Sequence, residues 1–186
     1  MLRRWPGGLT EIYAMSEGGV ASYLDCAAFP DKLHTVGKPQ AGVTLKVIDE
    51  DGRELGPGCI GELVGRSKTM MQGYHNLPEA TERAFWRDAE GKFYVKSGDI
   101  GRLDADGFVE LLGRKKDVII SGGQNIYPLD LEAVLQRHPA VQEVAVVGRK
   151  CAKWGEEPVA FVSLNPGWAI DPQDLYEWMC ERLGKQ

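Results

Sequence analysis

The 186 residues include 43% hydrophobic and 26% charged side chains, a balance that supports a packed core and excludes a disordered or low-complexity chain. The formal net charge is -5 with both signs interspersed, so no extended basic surface points to nucleic acid or an anionic membrane; the Arg3-Arg4 pair is too short to change that. Apolar runs such as Val144 to Val147 fall far short of the roughly 20 residues that cross a bilayer, and MLRRWPGGLTE lacks the apolar stretch of a secretion signal.

Along the chain, Val43, Leu45 and Val47 share one face of an expected strand, Asp51-Gly52 marks a turn, and Glu62 to Val64 reads as the next strand. Asp106-Gly107 closes a hairpin between Gly101 to Leu103 and Phe108 to Leu112. The texture changes near Gly113. A strand at Val118 to Ser121 meets the Gly122-Gly123 pair, and Pro128 then opens a helix, with Asp130 and Glu132 at its positive end and Leu131, Val134 and Leu135 as its buried stripe. His138-Pro139 stops that helix, and Val141 to Gly148 and Val159 to Leu164 read as strands. A last helix is capped by Asp171, starts at Pro172 and buries Leu175, Trp178, Met179 and Leu183. The expected fold is α+β: a β-rich region over residues 1–113 and a small α+β domain over residues 114–186, joined at Gly113 to Lys116. Cys26, Cys59, Cys151 and Cys180 are widely spaced, with no CxxC pair and no histidine at metal-ligand spacing, so they read as reduced thiols of a cytoplasmic protein.

Three segments carry side chains suited to chemistry. In Ile12-Tyr13-Ala14-Met15-Ser16-Glu17-Gly18-Gly19 an aromatic ring can stack on a base, a hydroxyl can donate to a phosphate oxygen and a carboxylate can share Mg²⁺ with phosphates; taken alone, the stretch equally suits a strand end with a solvated turn. In Tyr94-Val95-Lys96-Ser97-Gly98-Asp99, a carboxylate next to a glycine can accept both hydroxyls of a ribose, and Arg114 in Gly113-Arg114-Lys115-Lys116-Asp117 can add a fixed donor fork. These too suit a solvated Gly-Asp turn and a basic surface run. In Ser121-Gly122-Gly123-Gln124-Asn125-Ile126-Tyr127-Pro128, two glycines admit a narrow ligand such as a pantetheine arm, or simply bend the chain into the helix; Trp154 could flank the same ligand or be a partial core residue.

The YAMSEGG, GELVGRSKTMMQGYHNLPEAT, YVKSGDIGRLDADGFVELLGRKKD and SGGQNIYPLDLE stretches, in this order, resemble the adenylate-forming superfamily of acyl- and aryl-CoA synthetases, peptide-synthetase adenylation domains and luciferases. The resemblance runs from about Thr10 onward, and its most specific part is Ser97 to Glu132. It implies a distorted, barrel-like end of a large N-terminal domain followed by a small mobile C-terminal domain that is incomplete here, and MgATP, coenzyme A and a small carboxylic acid as substrates, with the oligomeric state left open. It implies that Tyr13 packs on adenine, Ser16 lies near the α-phosphate, Glu17 associates with Mg²⁺, and Asp99 and Arg114 hold the nucleotide. Lys116 falls at the hinge, Ser121, Gly122 and Gly123 at the CoA tunnel, and Trp154 near the matching CoA contact.

Against the family's usual Tyr-Gly-x-Thr-Glu, Ala14 and Ser16 replace glycine and threonine; serine keeps the hydroxyl, and the methyl of Ala14 bears on substrate size. The family's phosphate loop, rich in Ser, Thr and Gly and ending in Lys, has no counterpart in these residues, and Lys185 lies too early for its catalytic lysine. The resemblance therefore implies a C-terminal piece of an acyl-CoA ligase that does not turn over alone. The alternatives are an adenylation domain loading a carrier-protein thiol, against which SGGQNIYP argues, and a non-catalytic module that binds AMP or CoA.

Overall fold

Apolar residues alternating with polar ones become antiparallel strands throughout the computed structural model, which describes residues 7–183. The chain divides into two compact units, Met1–Lys115 and Lys116–Gln186. In the first, β1 (Thr10–Ala14), β2 (Ala21–Asp25) and β3 (Lys38–Pro39) form a three-stranded sheet in that order. The strands β4 (Thr44–Ile48), β5 (Glu54–Leu55), β6 (Gly61–Arg66), β7 (Phe85–Arg87), β8 (Phe93–Leu103) and β9 (Val109–Arg114) form a second sheet in the order β5-β4-β6-β8-β7, with β9 also on β8. A short helix, α1 (Pro78–Ala84), precedes β7.

The two sheets share a core of Val20, Leu45, Val47, Leu63 and Val109, against which Tyr13, Met15, Val36 and Val43 pack. The expected face of Val43, Leu45 and Val47 is therefore the inner one. Between the sheets, the Val36 N–H donates to the Val109 carbonyl at 2.8 Å and the Val109 N–H to the Gly37 carbonyl at 2.8 Å. These bonds continue the backbone pairing from one sheet toward the other, which accounts for the barrel-like character. The β8–β9 hairpin is wider than the Asp-Gly pair suggests: the Gly107 N–H reaches the Asp104 carbonyl at 3.0 Å, and Gly107 at φ 82° takes the left-handed place that ends a three-residue loop.

In the second unit, β10 (Ile119–Ser121), β11 (Gln124–Ile126), β12 (Val141–Cys151) and β13 (Gly155–Leu164) form an antiparallel sheet in the order β11-β10-β13-β12. The helices α2 (Pro128–Leu135) and α3 (Pro172–Leu183) supply Leu135 and Leu175 to a core with Ile119, Val141 and Val146. Asp171 caps α3 as expected, its carboxylate accepting the Gln173 N–H at 2.8 Å. Of the expected stripe on that helix only Leu175 is fully buried; Met179 packs on the core, while Trp178 stands edge-on to His138, ring centroids 5.0 Å apart. Glu132 does more than suit a helix N-terminus, because its carboxylate accepts the Val146 N–H at 2.8 Å and ties α2 to β12. The strands β12 and β13 run past their expected ends, so that Trp154 sits in the tight turn between them. Among the described residues no helix is long and apolar enough to cross a membrane. Lys185 lies outside the described residues.

Candidate functional site

Asp99 stands where β8 departs from regular pairing. Gly98 adopts φ 73°, the Ser97 hydroxyl donates to the Leu63 carbonyl at 2.8 Å, and the same oxygen accepts the Asp99 N–H at 3.0 Å. A bulge in a long strand, not a solvated turn, thus aims the Asp99 carboxylate. That side chain is only 14% exposed. Its Oδ2 accepts the Tyr13 hydroxyl at 2.5 Å, and its Oδ1 faces the Arg114 Nε at 2.9 Å. Asp99 and Arg114 are direct neighbours across β8 and β9, which explains how two residues fifteen apart in sequence form one grip.

Burial and the adjacent carboxylate push the Tyr13 phenol well above its ordinary value, so it remains a donor at neutral pH. The carboxylate has about four lone-pair sites, of which these two contacts use two. Two acceptor positions remain for a vicinal diol. Sequence reasoning located these three residues; the direct Tyr13 to Asp99 bond, linking the two sheets, it did not foresee.

Ser16 and Glu17 lie in the turn between β1 and β2, which is pinned from below. The Met71 N–H donates to the Glu17 carbonyl at 2.7 Å and the Ser67 hydroxyl to the Gly18 carbonyl at 2.5 Å. Gly18 has φ 75°, and a Cβ there would meet the Thr69 carbonyl oxygen at 2.5 Å, so only glycine fits. The Glu17 carboxylate accepts the Tyr74 hydroxyl at 2.8 Å and the Ser16 hydroxyl at 2.9 Å. The Tyr74 bond, then the backbone and Ser16 bonds, lower its pKa, so the group is a fixed anion. Tyr74 was missed as a site residue, although its GYHNLPEAT stretch was in view; nothing local shows that a tyrosine fifty-seven residues away will reach Glu17.

Among the described residues no cluster of three His, Cys, Asp or Glu groups could hold a metal. Glu17 belongs to no such cluster. That fits Mg²⁺ arriving with phosphates, which brings most of its own oxygen ligands, and does not fit a resident metal cage.

In the second unit, Ser121 pairs with Gln124 around Gly122 and Gly123, at φ 57° and 83°. The glycines thus form a two-residue type I′ hairpin turn between β10 and β11, a correction to the simple bend into the helix. The Gly122 N–H donates to the Trp154 carbonyl at 2.8 Å, and a Cβ on Gly122 would meet the Trp154 ring at 3.0 Å. Trp154 is 50% exposed, with the Lys153 ammonium 4.5 Å from its ring centroid. The structure therefore gathers Ser121, Gly122, Gly123 and Trp154, and does so by an aromatic plate laid on a side-chain-free turn. Lys116 sits, exposed, in a 3₁₀ turn over Lys115–Asp117 where the chain passes between the units.

The AMP-binding enzyme profile matches residues 1–75, and the AMP-binding enzyme C-terminal domain profile matches residues 130–186. A putative acyl-CoA ligase, YdaB, of Bacillus subtilis (strain 168) is 42% identical over 154 residues, covering 82% of this chain and 30% of that protein. The fatty acid–[acyl-carrier-protein] ligase ScoC of Streptomyces coeruleorubidus is 38% identical over 177 residues, covering 93% and 33%. Among solved structures, o-succinylbenzoate CoA synthetase (MenE) from Bacillus subtilis with its acyl-adenylate intermediate OSB-AMP superposes with a TM-score of 0.80 at 35% identity, over 96% of this chain and 35% of that one. The chain spans about a third of the length of the curated relatives it matches.

Proposed function

The chain belongs to the adenylate-forming family of AMP-binding enzymes, and we propose that it carries the ribose grip and the thiol-facing loop of an ATP-dependent acid–thiol ligase. The observation that carries this reading is the Asp99 carboxylate, held between Tyr13 and Arg114 with acceptor capacity to spare. In the proposed reaction a carboxylate oxygen attacks the α-phosphorus of ATP and pyrophosphate leaves; the sulfur of coenzyme A then attacks the acyl carbon and AMP leaves. Asp99 accepts the two ribose hydroxyls, and Arg114 adds a donor to sugar or phosphate oxygens. The Tyr13 ring borders the adenine, while its hydroxyl keeps Asp99 oriented.

The Ser16 hydroxyl, which donates to Glu17 here, would turn to the α-phosphate when nucleotide is bound, and Glu17 would be the protein's ligand to Mg²⁺ carried by the nucleotide. That ion would neutralise phosphate charge as it develops. Lys116, in its 3₁₀ turn, is the pivot by which the second unit, which begins at Lys116 and not at the expected residue 114, changes place between the two half-reactions. Ser121, Gly122, Gly123 and Trp154 line the pantetheine path, the glycines admitting the narrow arm and the ring covering it. All four cysteines are free thiols, which supports a reducing compartment and the cytoplasm. A fatty acid is one candidate acid.

The test is ATP–pyrophosphate exchange by the full gene product with a panel of carboxylic acids. Acid-dependent exchange is expected; none with any acid, from folded protein, would refute the ligase reading. The 186 residues alone should bind AMP without turnover, and acyl-CoA formation by them would refute the proposed division of labour. A second reading has the acceptor as a carrier-protein thiol, which the 38% identity to an acyl-carrier-protein ligase favours; transfer to a holo-carrier protein in preference to free coenzyme A would establish it.

A further inference from the structure

Beside the Asp99–Arg114 pair runs a second ion pair with a different character. Lys115 Nζ lies 2.7 Å from Glu62 Oε2, and the Glu62 side chain is 7% exposed, against 49% for Lys115. Glu62 sits on β6 opposite Ile100 of β8, the residue that follows Asp99, while Ile100 in turn pairs with Gly113 of β9. Arg114, the last residue of β9, meets Asp99, and Lys115, the first residue of the 3₁₀ turn that follows, meets Glu62. The end of β9 and the start of that turn are thereby each tied to the sheet. Both pairs join a partly exposed cation to a largely buried carboxylate, 62% and 14% exposed for Arg114 and Asp99 against 49% and 7% for Lys115 and Glu62; Asp99 keeps the Tyr13 hydroxyl if Arg114 turns to a ligand, whereas Glu62 would lose the Lys115 ammonium that compensates its buried charge.

We propose that Glu62, acting through Lys115, is a positioning residue for the nucleotide grip: it fixes β9 to its last residue, keeps Arg114 on Asp99, and confines the backbone rotation of the pivot to Lys116 and beyond. This rests on the ligase reading above. The same basic run thus divides its labour by the partner each residue meets. Arg114 faces the ligand, Lys115 is an anchor, and Lys116 is left exposed and able to turn.

The test compares the wild type with E62Q and K115M, the second placing its change at a half-exposed site should the first fail to fold. Amide hydrogen exchange of the 186-residue chain should quicken about tenfold over residues 113–116 in either variant, with β12 unaffected. In the full gene product the KM for ATP in pyrophosphate exchange should rise about fivefold with little change in kcat, and the swap E62K/K115E should recover part of that loss. Unchanged exchange at residues 113–116, or exchange quickened uniformly across the whole first unit, would overturn the inference. Local quickening with an unaltered ATP KM would overturn the positioning of Arg114. Failure of the wild type to catalyse pyrophosphate exchange would strike the ligase reading instead, because the hydrogen-exchange comparison needs no ATP.

Discussion

Replacing Asp99 by asparagine keeps the side chain's shape and removes its charge, which isolates what the carboxylate does. Hydrogen bonds to a charged acceptor contribute about 1.5–3 kcal/mol and neutral ones about 0.5–1.5, so each ribose hydroxyl should lose about 1 kcal/mol. Two hydroxyls give about 2 kcal/mol, or AMP binding about 30-fold weaker. The fold should lose a similar amount. Arg114 is 62% exposed, so its ion pair contributes at most about 1 kcal/mol, and the Tyr13 hydroxyl, donating to a neutral amide oxygen, loses about 1 kcal/mol more. The expected fall in melting temperature is thus under about 8 °C. Isothermal titration with AMP, alongside thermal denaturation of the same preparations, measures both quantities. Affinity within about threefold of wild type would show that the carboxylate does not hold the ribose. Collapse of the fold would show that Asp99 is structural.

Three further outcomes follow from the geometry. Tyr13 has a folded pKa above the ordinary phenol value of 10.0, so its contribution to stability is complete below pH 10 and is lost as pH rises beyond that; Y13F should remove this alkaline component from a pH series of denaturation curves while costing about 1 kcal/mol at neutral pH. G122A forces alanine into a left-handed turn and its Cβ toward the Trp154 ring, whereas G123A meets open space; urea unfolding should show about 2 kcal/mol lost for the first and about 1 for the second, and equal losses would mean the ring does not rest on the turn. E132A leaves the Val146 N–H without its acceptor and should destabilise the second unit by about 1–3 kcal/mol, an unaltered midpoint indicating that α2 does not depend on that bond.

The sequence was most readable where a signal is local. The apolar alternation of Val43, Leu45 and Val47, the Asp171 cap and the Asp-Gly hairpin all describe interactions within a few residues, and the structure contains each. Readability fell where partners are distant. The sequence leaves the Gly122-Gly123 pair open between a ligand loop and a bend, because the strand that follows it, β11, is only three residues long, too short for alternation to register. Glu132 suited a helix N-terminus, yet its role as the acceptor of a neighbouring strand's N–H depends on where β12 lies. Tyr74 gave no sign of reaching Glu17.

By itself the sequence determined the chemical inventory and the strand-rich α+β character, because side-chain type and short-range periodicity are properties of the chain before it folds. Only the tertiary structure decided how that inventory is used. Pairing of β8 with β9 brings Arg114 to Asp99, packing of the two sheets delivers the Tyr13 hydroxyl to the same carboxylate, and the burial of Glu62 makes Lys115 an anchor. Three consecutive basic residues look alike in a string of letters. They differ once the strand ends at the first of them, the turn begins at the second, and each meets a different partner.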